Sequence, residues 1–162
     1  MGFDRSDEWV TVAQRYLRQR GRAWATISRS PTGHLTLQLG KKDWGWNADS
    51  HRVTIQLARS DCKELRTFAD ELEQIGFESD APSKTERKDP WHDLTTAWLA
   101  GSPNVTAWLS ASLSPEDNVV LTLGKKHPVN TDTVTVQVDR TSVKALRELA
   151  DLLERAFEIE LD

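Results

Sequence analysis

One cysteine, one methionine and one tyrosine occur among these 162 residues, and each scarcity sets a limit. Cys62 alone can form neither an internal disulfide nor a thiolate metal cluster, as expected of a chain that works in the reducing cytoplasm. No apolar run approaches the length that spans a bilayer, and Met1 to Glu8 contain no apolar stretch like that of a signal peptide, so no membrane partner is expected. Acidic residues outnumber basic ones by 25 to 21, and the net charge of −4 argues against coating duplex DNA by bulk positive potential, though not against a local basic patch. His34, His51, His92 and His127 stand singly, without the spacing that places two ligands on one helical face, so neither metal nor cofactor is expected. Glu86-Arg87-Lys88 has part of a nuclease-like pattern but lies in a polar linker. No catalytic residue is assigned, and a non-enzymatic binding protein is expected.

What the chain does have is an internal duplication. Eleven of the 21 positions from Val53 to Glu73 are identical to those 81 residues later, where average residue usage gives about one or two. Leu39-Gly40-Lys41-Lys42 returns as Leu123-Gly124-Lys125-Lys126, and Trp9…Tyr16-Leu17 returns as Trp91…Trp98-Leu99. Two copies are too few for a solenoid, so a pseudo-twofold pair resembling a fused homodimer is expected, present as a monomer or as a homo-oligomer.

The repeated pattern predicts two α-β-β-β-α units of an α+β protein, residues 1–78 and 91–162, joined by a polar linker over 79–90. Trp9, Val12, Tyr16 and Leu17 match the apolar stripe of a helix, as do Trp91, Leu94, Trp98 and Leu99. A hairpin then turns through Ser30-Pro31-Thr32-Gly33 or Ser114-Pro115-Glu116-Asp117-Asn118, followed by a strand at Val53–Leu57 or Val134–Val138. The final helices carry the stripes Cys62, Leu65, Phe68, Ala69, Leu72, Ile75 and Val143, Leu146, Leu149, Ala150, Leu153, Phe157. Ser60 or Asp61, and Thr141 or Ser142, are the expected N-caps, and Gly76 is the expected stop of the first helix. The helices should cover one face of the antiparallel sheets.

Alternation leaves the opposite strand face neutral and polar, with Thr36, Gln38, Thr54 and Gln56 in one copy and Thr122, Thr135 and Gln137 in the other. Trp24 and Trp108 join that face. They form either a platform on which a base or sugar stacks, or a seam through which the sheets pack together. Lys41-Lys42 and Lys125-Lys126 are expected where a strand runs into its loop, each behind a glycine free to take unusual backbone angles, and serve either a ligand or protection of a sheet edge. Arg18, Arg20 and Arg22 add charge beside the first copy only. The loop carrying Trp44 and Trp46 is also peculiar to that copy, as a hydrophobic plug or a partner-binding tip.

The strand array from Trp24, the Lys-Lys segment, the Val53-Thr54-Ile55-Gln56-Leu57 strand and the helix bearing Lys63 and Leu65 resemble the single-stranded-DNA-binding domain of PC4-type transcriptional coactivators. The likeness covers Trp24 to Glu73 and Trp108 to Glu154. It implies dimer-like pairing and a basic, aromatic strand surface for single-stranded nucleic acid, with Lys41, Lys42, Lys125 and Lys126 as contacts. The sequence pattern departs from that family in its leading helix, in having three strands instead of four, and in placing the basic pair well before the last strand. The alternative expectation is a protein-interaction module, such as an inhibitor, adaptor or immunity-type protein, acting through Trp44 and Trp46.

Overall fold

Apolar residues at alternate positions give each half of the chain a four-stranded antiparallel sheet. A computed structural model describes residues 8–19, 22–42, 50–78 and 91–160. Strands β1 (Val10–Tyr16), β2 (Ala23–Arg29), β3 (Leu35–Lys42) and β4 (Ser50–Gln56) pair in chain order, and β5 (His92–Leu99), β6 (Thr106–Leu113), β7 (Val119–Lys126) and β8 (Thr131–Gln137) repeat the arrangement. Helix α1 (Asp61–Glu71) continues into a π-helical tail, Leu72–Glu78, and α2 (Thr141–Glu160) ends the second repeat. The α+β class, the duplication and the antiparallel sheets agree with the sequence pattern.

The opening segment of each repeat is a strand, where a helix was expected. A register shift between Thr11 and Ala13, and another between Asp93 and Thr95, interrupts the two-residue alternation. A bulge inserts one residue and reverses the side-chain phase beyond it, so residues seven apart share a face, as they do on a helix. This correction also removes two departures from the PC4-type pattern, the leading helix and the missing fourth strand.

The hairpins are closed by one residue of left-handed backbone each. Gly33 has φ of 90° and donates its N–H to Ser30 O at 2.9 Å, while its counterpart Asp117 has φ of 63° and bonds Ser114 O at 2.9 Å. Glycine takes this conformation without a Cβ clash, and Asp is among the side chains that tolerate it.

Each helix lies closest to the sheet of the other repeat. α1 and its tail run against β5 and β6, α2 runs against β1 and β2, and the helices pack on each other. Gly76 does not stop the first helix. Its tail continues through that position, where a Cβ would stand 3.3 Å from Leu72 and 3.5 Å from Leu94 of the opposite sheet.

The crossover is pinned at both ends by a carboxylate. Asp61, fully buried, accepts the backbone N–H groups of Ala58 and Ala100, both at 2.7 Å. Asp139 accepts those of Thr141 at 2.9 Å and Gln19 at 3.0 Å. Ser60 makes no side-chain cap bond, and Asp139 rather than Thr141 or Ser142 accepts an N–H of the first turn of α2. Ser60 thus holds the expected N-cap position without the expected side-chain bond, Asp61 is drawn away to accept from Ala58 and Ala100, and the expected cap of α2 is corrected to Asp139.

Across the helix pair, Arg66 bonds Asp151 at 2.8 Å and also Glu154, while Arg147 bonds Asp70 at 2.7 Å and Glu73 at 3.1 Å. These charge-assisted hydrogen bonds raise both guanidinium pKa values further. Partly exposed pairs contribute only about 0.5 kcal/mol each, whereas fully burying a Leu or Phe contributes about 2 kcal/mol. Leu17, Phe68, Leu109 and Leu149, drawn from both repeats, are buried in one continuous core. Apolar burial therefore dominates the exchange, and the ion pairs link the two helices at positions related by the duplication.

Candidate binding faces of the two sheets

The register places residues from four strands in rows on the face away from the core. In the first sheet Tyr16, Trp24, Gly40 and Arg52 form one row, Gln14, Thr26, Gln38 and Thr54 the next, and Thr11, Ser28, Thr36 and Gln56 a third. In the second sheet the corresponding rows are Trp98, Trp108, Gly124 and Thr133, then Thr96, Ser110, Thr122 and Thr135, then Asp93, Ser112, Val120 and Gln137. Trp9 is 59% exposed, Tyr16 55% and Trp98 62%, so large aromatic surface stands open on the outer faces.

Glycine makes each platform possible. A Cβ on Gly40 would stand 2.6 Å from the Trp24 indole, and one on Gly124 would stand 2.2 Å from that of Trp108. Neither glycine has a positive φ, so the expectation of unusual backbone angles is corrected. Each glycine instead supplies the space in which an indole lies against the neighbouring strand. Trp24 Nε1 reaches Gln38 Oε1 at 3.5 Å, the Gln38 amide donates to Thr54 Oγ1 at 3.1 Å, and Trp108 stands 6.2 Å from Trp98 at a tilt of 51°. Trp9, Gln14, Thr26, Gln38, Arg52 and Thr54 are among the residues lining an open groove of about 520 Å³ on the first face. Its chemistry suits a flat ring with hydrogen-bonding edges.

The lysine pairs lie within β3 and β7, not in the loops that follow, and the two members of each pair differ. Lys42 and Lys126 are exposed, whereas Lys41 and Lys125 are half-buried. Lys125 Nζ donates to Thr54 O at 3.1 Å, binding the second sheet to the edge of the first. Lys41 shares a recess with Lys42, Arg18, Arg22, Thr135 and Gln137. Arg22 is held opposite Lys42 through the Lys42 N–H to Arg22 O bond at 3.1 Å. Close to this cluster, burial raises the Asp139 carboxyl pKa, but hydrogen bonds from Gln19 and Thr141, together with the Arg18 charge, outweigh it and hold the carboxyl below its ordinary range.

Among the residues singled out from sequence, Trp24 and Trp108 thus lie on the outer faces, and Arg18, Arg22, Lys41 and Lys42 come together. Lys125 and Lys126 stand at the equivalent end of the second sheet. Arg20, Trp44 and Trp46 lie outside the described residues, as does the 79–90 linker. Trp9, Tyr16, Trp91 and Trp98 escaped selection because their spacing also fits a helix. Their signal was a repeated pair of aromatics seven residues apart, each flanked by strand-forming residues such as Val10-Thr11-Val12 or Thr95-Thr96.

No family model matches the chain. An uncharacterized protein of Halorubrum lacusprofundi is 47% identical over 164 residues, covering 99% of this chain and 42% of the relative's own length. Among solved structures, the MRP1/MRP2 proteins of Trypanosoma have a TM-score of 0.44 at 11% identity, with 97% of this chain and 89% of that chain covered. The plant transcriptional regulator PBF-2 has a TM-score of 0.43 at 9% identity, covering 92% of this chain and 82% of its own. No helix among the described residues is long and apolar enough to cross a membrane.

Proposed function

We propose that this chain binds single-stranded nucleic acid, with bases stacked on the outer faces of the sheets and phosphates held by the lysine and arginine side chains beside them. The observation that carries this is the exposed aromatic row on each sheet, set over neutral hydrogen-bonding side chains and bordered by Lys42 or Lys126. Unstacked bases offer two π-faces to such rings, and each base–aromatic stack is worth about 1–3 kcal/mol. A duplex hides those faces. Arg18, Arg22, Lys41 and Lys42 supply positive charge locally although the chain as a whole is acidic.

This interface is similar in kind to that of the PC4-type domains, but here it is carried on exchanged repeats of one chain. Units 1–78 and 91–162 are proposed as sequence repeats that share a single folding core. The alternative, a protein-interaction module acting through Trp44 and Trp46, draws on residues outside the described ones, and the exposed aromatic faces favour the nucleic acid. Titration with a single-stranded oligonucleotide should quench tryptophan emission, more weakly as salt rises. Lys41→Ala with Lys42→Ala should flatten the salt dependence by about 0.7 in log–log slope for each phosphate that is no longer neutralised. An absence of binding at low salt would falsify the proposal.

A further inference from the structure

The duplication supplies two equivalent junctions where the lysine end of one sheet meets the last strand of the other. At the first, Arg18, Arg22, Lys41 and Lys42 of the first repeat approach Thr135 and Gln137 of β8 around a space of about 240 Å³. At the second, Lys125 approaches Thr54 of β4, and Arg52 and Asp132 line the same recess. The fold is repeated but the charge is not. Thr106 stands opposite Lys126, where Arg22 stands opposite Lys42, and Ala100 follows the buried Leu99 as Arg18 follows the buried Leu17. Asp132 lies directly across from Lys125, at the position that His51 holds across from Lys41. The first recess is therefore lined by four cations, with the Asp139 carboxylate beside Arg18, whereas the second recess itself sets two cations, Arg52 and Lys125, against the Asp132 carboxylate.

Resting on the nucleic-acid function proposed above, we infer that only the first junction anchors a phosphate, so that one single strand is held per chain in a fixed position. The recess lies between the two base platforms. Arg22 and Lys42 are on the side of Trp24, while Thr135 is on the face that carries Trp108 and bonds Thr122 Oγ1 at 2.8 Å. A backbone phosphate seated there leaves the preceding and following bases directed to different sheets. At the second junction the Asp132 carboxylate repels the same phosphate, and the Lys125 ammonium is engaged with Thr54 O.

Native mass spectrometry and fluorescence anisotropy with a short oligothymidylate test this on the full chain. One oligonucleotide per chain is expected. Arg18→Ala with Arg22→Ala should weaken binding roughly tenfold or more and flatten the salt slope by about 1.4, whereas Lys126→Ala, which removes a single cation from the border of the second face, should cost less and flatten the slope by about 0.7 at most. Thr106→Arg with Asp132→Asn should create the missing site and raise the stoichiometry to two. Two oligonucleotides bound to the unaltered chain, or equal losses from the Arg18/Arg22 and Lys126 variants, would overturn the single anchor while leaving nucleic-acid binding intact. No binding by any variant would overturn both.

Discussion

The two sheets share a backbone plan but differ in what they present. The first face carries Gln14, Gln38 and Arg52 beneath Tyr16 and Trp24; the second has Thr96, Thr122 and Thr133 at those places beneath Trp98 and Trp108. Long amides and a guanidinium can reach the edges of a stacked ring, whereas threonine hydroxyls remain near the strand. Both copies keep the Trp-over-Gly platform, and the first adds reach and charge. Duplication thus separates what the fold requires from what one copy has specialised, because every substitution can be made at two equivalent positions.

The largest expected contrast lies at the carboxylates that pin the crossover. Asp61→Ala leaves the N–H groups of Ala58 and Ala100 without their buried acceptor and should cost about 3 kcal/mol in urea denaturation. Asp139→Ala, at a less buried site, should cost about 1 kcal/mol. Equal losses would mean that the two ends of the exchange are equally buried in solution.

Next comes the platform. Gly40→Val should lift Trp24 from β3, shift its emission and reduce oligonucleotide affinity by about 1–2 kcal/mol; Gly124→Val should have the smaller effect on affinity because the charged junction adjoins Trp24. If both variants bound normally, the indoles would not be the stacking surface.

Acid sharpens the comparison further. Because the folded Asp139 carboxyl titrates below its ordinary range, its stabilising contribution is whole above about pH 4, where the unfolded carboxyl is ionised, and disappears as pH falls through the lower folded value. The stability gap between Asp139→Ala and the unaltered chain should therefore narrow between about pH 5 and pH 2. An unchanged gap would contradict an ionised Asp139 as the tie.

The smallest effects belong to the helix pair. Arg66→Ala and Arg147→Ala should each lower stability by about 0.5–1 kcal/mol and by equal amounts, since their partners are related by the duplication. Unequal losses would show that the pseudo-twofold relation fails at the helices.

Much of this architecture was legible because two copies vote on each position. Leu35, Leu37 and Leu39 agree with Val119, Leu121 and Leu123 on which face is apolar, and the stripe from Leu65 to Leu72 agrees with that from Leu146 to Leu153. Agreement failed to help where both copies carry the same irregularity. The bulges in β1 and β5 place Trp9 with Tyr16, and Trp91 with Trp98, at a spacing that a helix also satisfies, so the repeat reinforced the wrong period. The exchange of helices was invisible for a different reason: an amphipathic stripe records that a helix is covered but not which sheet covers it. Lys41 and Lys125 could be placed near strand ends, yet their turn toward the other sheet depends on that exchange.

Photo-crosslinking of a single-stranded oligonucleotide containing iodouracil, followed by peptide mapping, tests most directly whether the outer faces bind nucleic acid. Crosslinks should concentrate at Trp9, Tyr16 and Trp24 and extend to Trp98 or Trp108, and Arg18→Ala with Arg22→Ala should diminish them together. Crosslinks confined to α1 and α2, with the aromatic faces unlabelled, would contradict the account.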